Sequence, residues 1–142
     1  MSLRRYVRSV VTVEPEETVA VAAEKLCQGH VGCVIVVRNG KPIGMLTDRD
    51  LVVRVLAPGL SSAKTLVSDV VTYAPFVVSA SDGIETALRT MREHGVRRVP
   101  IVDDDGDLIG IVTADDLTVM LGNRMYQLAQ SIEGNADSAE TR

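Results

Sequence analysis

Two stretches of the chain carry the same hydrophobic rhythm. Val19, Ala22, Ala23 and Leu26 fall at i, i+3, i+4 and i+7, one face of an amphipathic helix. Ile84, Ala87, Leu88 and Met91 repeat that spacing 65 positions on, and Asp82 with Glu85 has the capping-box spacing of a helix start. A short, mostly β-branched run follows each helix, residues 33–37 (CVIVV) and 98–102 (RVPIV), the composition of a buried strand. Asn39-Gly40 and Asp105-Gly106 supply hairpin turns, after which residues 42–46 and 108–112 return as strands. Each returning strand runs into Thr-x-x-Asp and then a helix. Leu51, Val55 and Leu56 are apolar in the first of these helices, and Leu117, Met120, Leu121, Met125 and Leu128 in the second. Strand-like residues 10–13 and 76–78 precede the two units.

The pattern predicts a mixed α/β (α+β) chain of two β-α-β-β-α repeats. One such unit is too small to bury its apolar faces alone, so the two are expected to pack sheet to sheet about a pseudo-twofold axis. Residues 1–9 read as an N-terminal arm whose Arg4, Arg5 and Arg8 are solvated; 10–60 form the first repeat. Residues 61–132 form the second with an extended C-terminal helix, and 133–142 lose periodicity and read as a disordered tail. The turn-rich residues 57–65 mark the boundary.

Charge removes some functions. A net charge of −4 offers no broad basic face for nucleic acid or an anionic membrane, and no apolar run approaches the ~20 residues of a membrane span. Without a signal-peptide pattern the expected location is the cytoplasm. Cys27 and Cys33 have only His30 near them as a further metal ligand, so no metal site is assigned. They read as small buried hydrophobes, with a thiol pair or a Cys-His site as the alternative. No Ser-His-Asp or Cys-His arrangement is visible, and no residue is assigned a catalytic role.

The polar clusters are the candidate chemistry. "GMLTDRD" (residues 44–50) returns as "GIVTADD" (110–116), so Thr47 and Asp50 recur as Thr113 and Asp116. Both pairs have N-cap to N3 spacing, and helix capping alone could account for them. His94, before Gly95, reads as a charge at a helix C-terminus, with reach to a phosphate as the alternative.

The order of elements, the G-h-h-T-x-x-D ending of both copies (h apolar) and "EHGVRRVPIVDDDG" resemble tandem CBS domains, named after cystathionine β-synthase. The resemblance spans residues 10–121, and the chain looks like a stand-alone pair, or Bateman module. It implies an adenosine-containing ligand: AMP, ADP, ATP or another adenosyl compound, with no cofactor required. In the family the Asp holds ribose hydroxyls, the Thr lies beside sugar or phosphate, and each site joins the T-x-x-D of one repeat to the early strand of the other. The preferred site is then Thr47, Arg49 and Asp50 with Thr72, Phe76, Val77, Arg97 and Arg98, three guanidiniums making a phosphate clamp. The weaker second site is Thr113, Asp115 and Asp116 with Thr12, Val13, Gly32 and Cys33, and it offers no cation. The resemblance also implies a disc-like homodimer through helix faces and leaves room for an unidentified protein partner. A ligand-independent scaffold is the other reading.

Overall fold

A computed structural model describes residues 2–73 and 76–140. β1 (Thr12–Val13), α1 (Val19–Gly29), β2 (Cys33–Arg38), β3 (Lys41–Thr47) and α2 (Asp48–Leu51) form the first repeat, with a π-helical turn over Val52–Leu56 continuing α2. After a short α3 (Val67–Val70) come β4 (Val78–Ser79), α4 (Ile84–His94), β5 (Arg98–Val102), β6 (Leu108–Thr113) and α5 (Ala114–Glu140). The two three-stranded sheets have the same design: the first strand is parallel to the second, the second antiparallel to the third. The expected mixed fold is present, and the sheets face each other across Cys33, Ile35 and Ile111.

Local chemistry sets the ends of the elements. Thr18 caps α1, its hydroxyl accepting the Val21 N–H at 3.4 Å. Asp82 does not cap α4: its carboxylate accepts the Ser79 N–H at 3.1 Å and closes the preceding turn, leaving Gly83 as N-cap. Asn39 and Gly40 both have positive φ (52° and 77°), as a two-residue hairpin turn demands. At the second hairpin turn, of Asp105 and Gly106 only Gly106 does (φ 80°), and the loop is longer, folded around the Asp103 carboxylate, which accepts from Asp105 and Asp107 N–H. The two hairpin ends meet. Gly40 carbonyl accepts the Leu108 N–H at 2.9 Å, and Lys41 Nζ lies 2.8 Å from Asp107, a hydrogen bond that raises the ammonium pKa.

Each repeat is completed by the segment that precedes the other. Leu3 is fully buried in the second core beside Val78, Ile84 and Val99, and Arg8 exchanges both backbone hydrogen bonds with Ile111 (2.9 and 3.0 Å). Reciprocally, Val67, Val70 and Val71 enter the first core, and Thr72 pairs with Met45. The solvated N-terminal arm is therefore corrected: an apolar residue three positions in anchors it, although Arg4 and Arg5 stay exposed. These crossings explain the glycines of the repeated motif. A Cβ on Gly110 would lie 2.2 Å from the Arg8 carbonyl oxygen, and one on Gly44 2.8 Å from that of Thr72.

The expected disordered tail is corrected as well, because α5 runs on to Glu140. Between 133 and 140 the sequence has no proline, and a single Gly costs a helix only about 1 kcal/mol.

Candidate functional site

The first crossing opens a cleft of ≈ 550 Å³ where the end of β3 meets Thr72, Phe76 and the start of β5. Thr47 Oγ1 accepts the Asp50 N–H at 3.1 Å, and Asp50 Oδ2 accepts the Thr47 N–H at 2.9 Å. This reciprocal capping box accounts for the Thr and Asp structurally, and it also holds the carboxylate at the cleft wall. Arg54 supports that wall. It donates to the Val70 carbonyl (2.7 Å) and Thr72 Oγ1 (2.9 Å), and its Nη2 lies 3.8 Å from Asp50 Oδ1.

The remaining walls are largely apolar, from Met45, Val96, Pro100 and Phe76, the only phenylalanine of the chain. His94 stacks on Phe76 with centroids 3.7 Å apart and planes 14° from parallel, which fixes the ring. Arg98, the first residue of β5, supplies a cation at the rim.

Five of the eight residues expected at this site thus share one cleft: Thr47, Asp50, Thr72, Phe76 and Arg98. The other three do not line it. Arg49 is exposed, Val77 lies outside the lining, and Arg97 pairs with Asp115. The expected three-arginine clamp is corrected to one guanidinium. Neighbouring residues at a strand start point to opposite sides, so Arg97 and Arg98 cannot both face one cleft.

A second cleft, ≈ 680 Å³ and more polar, brings together Gly32, Cys33 and Thr113 with Arg8, His30 and Ile111. Thr12, Val13, Asp115 and Asp116 are not in its lining. Val13 is buried in the first core and Thr12 pairs with Ile35, as Val78 pairs with Ile101, so the counterpart of Phe76 is Val10. Asp116 Oδ1 is held 2.8 Å from Arg8 Nη2, while Oδ2 is buried without a hydrogen bond. The expected lack of a cation is corrected too, since Arg8 and Arg98 both reach this cleft. Arg98 borders both clefts, its Nη2 only 3.5 Å from where a Cβ on Gly32 would stand.

Burial pushes the Cys33 thiol pKa up; Arg98 pulls it back and Asp48 reinforces the rise. Cys27, expected to be buried, is exposed on α1, and the two cysteines are both free thiols. Among the described residues, Asp103, Asp105 and Asp107 form a carboxylate cluster, and the Lys41 ammonium sits against it.

Arg54 and Arg8 were not among the site residues expected from sequence. Arg54 stands at i+4 from Asp50, a spacing that pairs charges on a helical face. Arg8 gave no such signal, because its partner Asp116 lies in the other repeat.

No helix among the described residues is long and apolar enough to cross a membrane. The CBS domain profile matches residues 4–57 and 67–122. The uncharacterized protein MK0525 of Methanopyrus kandleri is 37% identical over 111 residues, 78% of this chain but 57% of the relative, so this chain spans little more than half of that protein. Hypoxic response protein 1 of Mycobacterium tuberculosis is 34% identical over 109 residues, 76% of each chain. A crystal structure of Hypoxic Response Protein I, with two coordinated zinc ions, superposes with a TM-score of 0.74 at 32% identity, covering 83% of this chain and 97% of that one. The CBS domain protein PAE2072 of Pyrobaculum aerophilum, complexed with AMP, has a TM-score of 0.74 at 23% identity over 82% of this chain and 90% of its own, a likeness of fold. The twofold profile match, the relatives and the paired sheets agree: this chain belongs to the CBS-domain family, as a tandem CBS pair.

Proposed function

We propose that this CBS pair senses an adenosine nucleotide in its first cleft and signals by a change of conformation or assembly, without catalysis. The observation that carries the reading is the meeting of Asp50, Phe76 and Arg98, from three separate segments, at one cleft. A carboxylate can accept both hydroxyls of a ribose cis-diol. Phe76, braced by His94, gives a flat base an aromatic wall. Arg98 suits a phosphate, which a guanidinium can grip bidentately. The Pyrobaculum protein carries AMP on the same fold, which speaks for what the fold can hold and not for these residues.

The second cleft is the weaker candidate because Asp116, its ribose-binding counterpart, is already paired with Arg8. Sharing Arg98 couples the two: a phosphate that takes the guanidinium in one cleft withdraws it from the other.

Titrating AMP and adenosine in parallel tests the reading. Arg98→Ala is expected to cut the preference for AMP over adenosine by about tenfold, or ~1.4 kcal/mol. Arg49→Ala and Arg97→Ala should leave that preference unchanged, and added salt should reduce it in the intact protein. Equal affinity for AMP and adenosine at low salt would remove the phosphate contact and with it this assignment.

A second reading, a ligand-independent dimerising scaffold, has one observation in its favour. Val52, Val53 and Leu56 stand exposed beside an apolar groove between α1 and the π-helical turn. That is a helix face of the kind through which the resemblance places the disc-like homodimer. A scaffold gains no thermal stability from AMP; a sensor does.

A further inference from the structure

The stacked ring pair at the first cleft has no counterpart at the second. Phe76 lines the first cleft, and His94 lies flat against it, centroids 3.7 Å apart, without lining the cleft itself. A ring that covers one face of the phenyl leaves the other face for the cleft. In the first repeat both positions differ together. Val10 stands where Phe76 does. Gly29 stands where His94 does, because the left-handed residues that follow the two helices, His30 (φ 50°) and Gly95 (φ 61°), are equivalent. The only phenylalanine of the chain and the imidazole behind it thus serve one cleft.

The two partners are held very differently. Phe76 lies outside the β4–β5 ladder, which begins at Val78, so the sheet does not orient its ring. His94 ends a helix whose last turn is firmly closed. The Met91 carbonyl accepts the N–H of both Gly95 and Val96, and Met91 itself is buried in the second core. The imidazole makes no hydrogen bond or ion pair with the described residues; its recorded contact is the stack. Reach to a phosphate, the alternative drawn from sequence, does not fit a ring laid flat on a phenyl.

We propose that His94 is a positioning residue of the first cleft: from outside, it fixes the Phe76 ring in the plane on which a nucleotide base stacks. The proposal rests on the nucleotide reading and adds to it the residue that sets affinity for the base. A ring already held in place loses little side-chain freedom when the base arrives, so the bracing appears as binding affinity. His94 acts at the base end alone, so its effect is the same whether or not the ligand carries a phosphate.

Titrating the full chain with AMP and with adenosine tests it. His94→Ala should weaken both ligands by the same factor, about two- to tenfold, the range of one aromatic stack. The preference for AMP over adenosine should not move. His94→Phe, which returns a flat ring without the imidazole, should restore most of the affinity. In a Phe76→Leu background, His94→Ala should cost nothing further, since a brace has no effect once its ring is gone. Unchanged affinity in His94→Ala, or a loss that adds to that of Phe76→Leu, would overturn the positioning role while the nucleotide reading stands. A wild type that binds neither AMP nor adenosine would overturn both.

Discussion

Leu3→Ala is expected to destabilise the protein by about 2–5 kcal/mol, the usual cost of emptying a buried leucine site. Leu3 has no exposed surface and packs among the strands and helix of the second repeat, although it stands at the chain's opposite end. Nearby contacts cannot collapse freely into the void, because Ser2 Oγ donates to the Ala80 carbonyl at 3.0 Å and Leu3 N–H to that of Asp82 at 3.1 Å. For a chain of this length the melting temperature should fall by roughly 6–15 °C. Arg5→Ala, on the exposed side of the same turn, should stay within about 0.5 kcal/mol. Urea unfolding of both variants checks the pair. Similar small effects would mean that the arm is not part of the second core.

The expected binding effect is largest at Asp50. Asp50→Ala should weaken AMP binding by about ten- to a hundredfold, the loss of charge-assisted hydrogen bonds worth roughly 1.5–3 kcal/mol. Asp116→Ala should change it little, since that carboxylate is engaged by Arg8 and does not line either cleft. Asp50 also closes the capping box of α2, so its alanine variant loses about 1 kcal/mol of helix-start stability. Asp50→Asn separates the two roles: it keeps an acceptor for the Thr47 N–H and removes the charge offered to the ribose. Calorimetry should find Asp50→Asn weakened in binding yet nearly wild-type in stability. Equal, small affinity losses at Asp50 and Asp116 would leave capping as their whole role.

Periodicity made the repeats legible, because helix faces and hairpin strands each have a spacing that side-chain burial enforces. Thr47 and Asp50 were legible for a related reason: the T-x-x-D spacing is local, four residues long, and repeated. The crossing arms were not. Arg8 and Thr72 occupy equivalent places 64 positions apart, whereas their partners Ile111 and Met45 are 66 apart, so alignment of the repeats drifts by two residues at the arms. That drift put Thr12 and Val13 in the second site, where Val10 stands. The arginines failed on direction. Sequence places Arg97 and Arg98 together, but adjacent residues entering a strand face apart, and Asp115 takes the first. Phe76 against His94 joins the segment before β4 to the far end of α4, a contact with no short-range signature.

Amide hydrogen exchange of the intact protein with and without saturating AMP tests the central claim most directly, since it locates the ligand without altering a residue. The nucleotide reading predicts added protection in residues 45–50 and 96–101, around the first cleft, with residues 8–12 unchanged. Protection confined to residues 8–12 and 30–33, or none in either cleft, would contradict it.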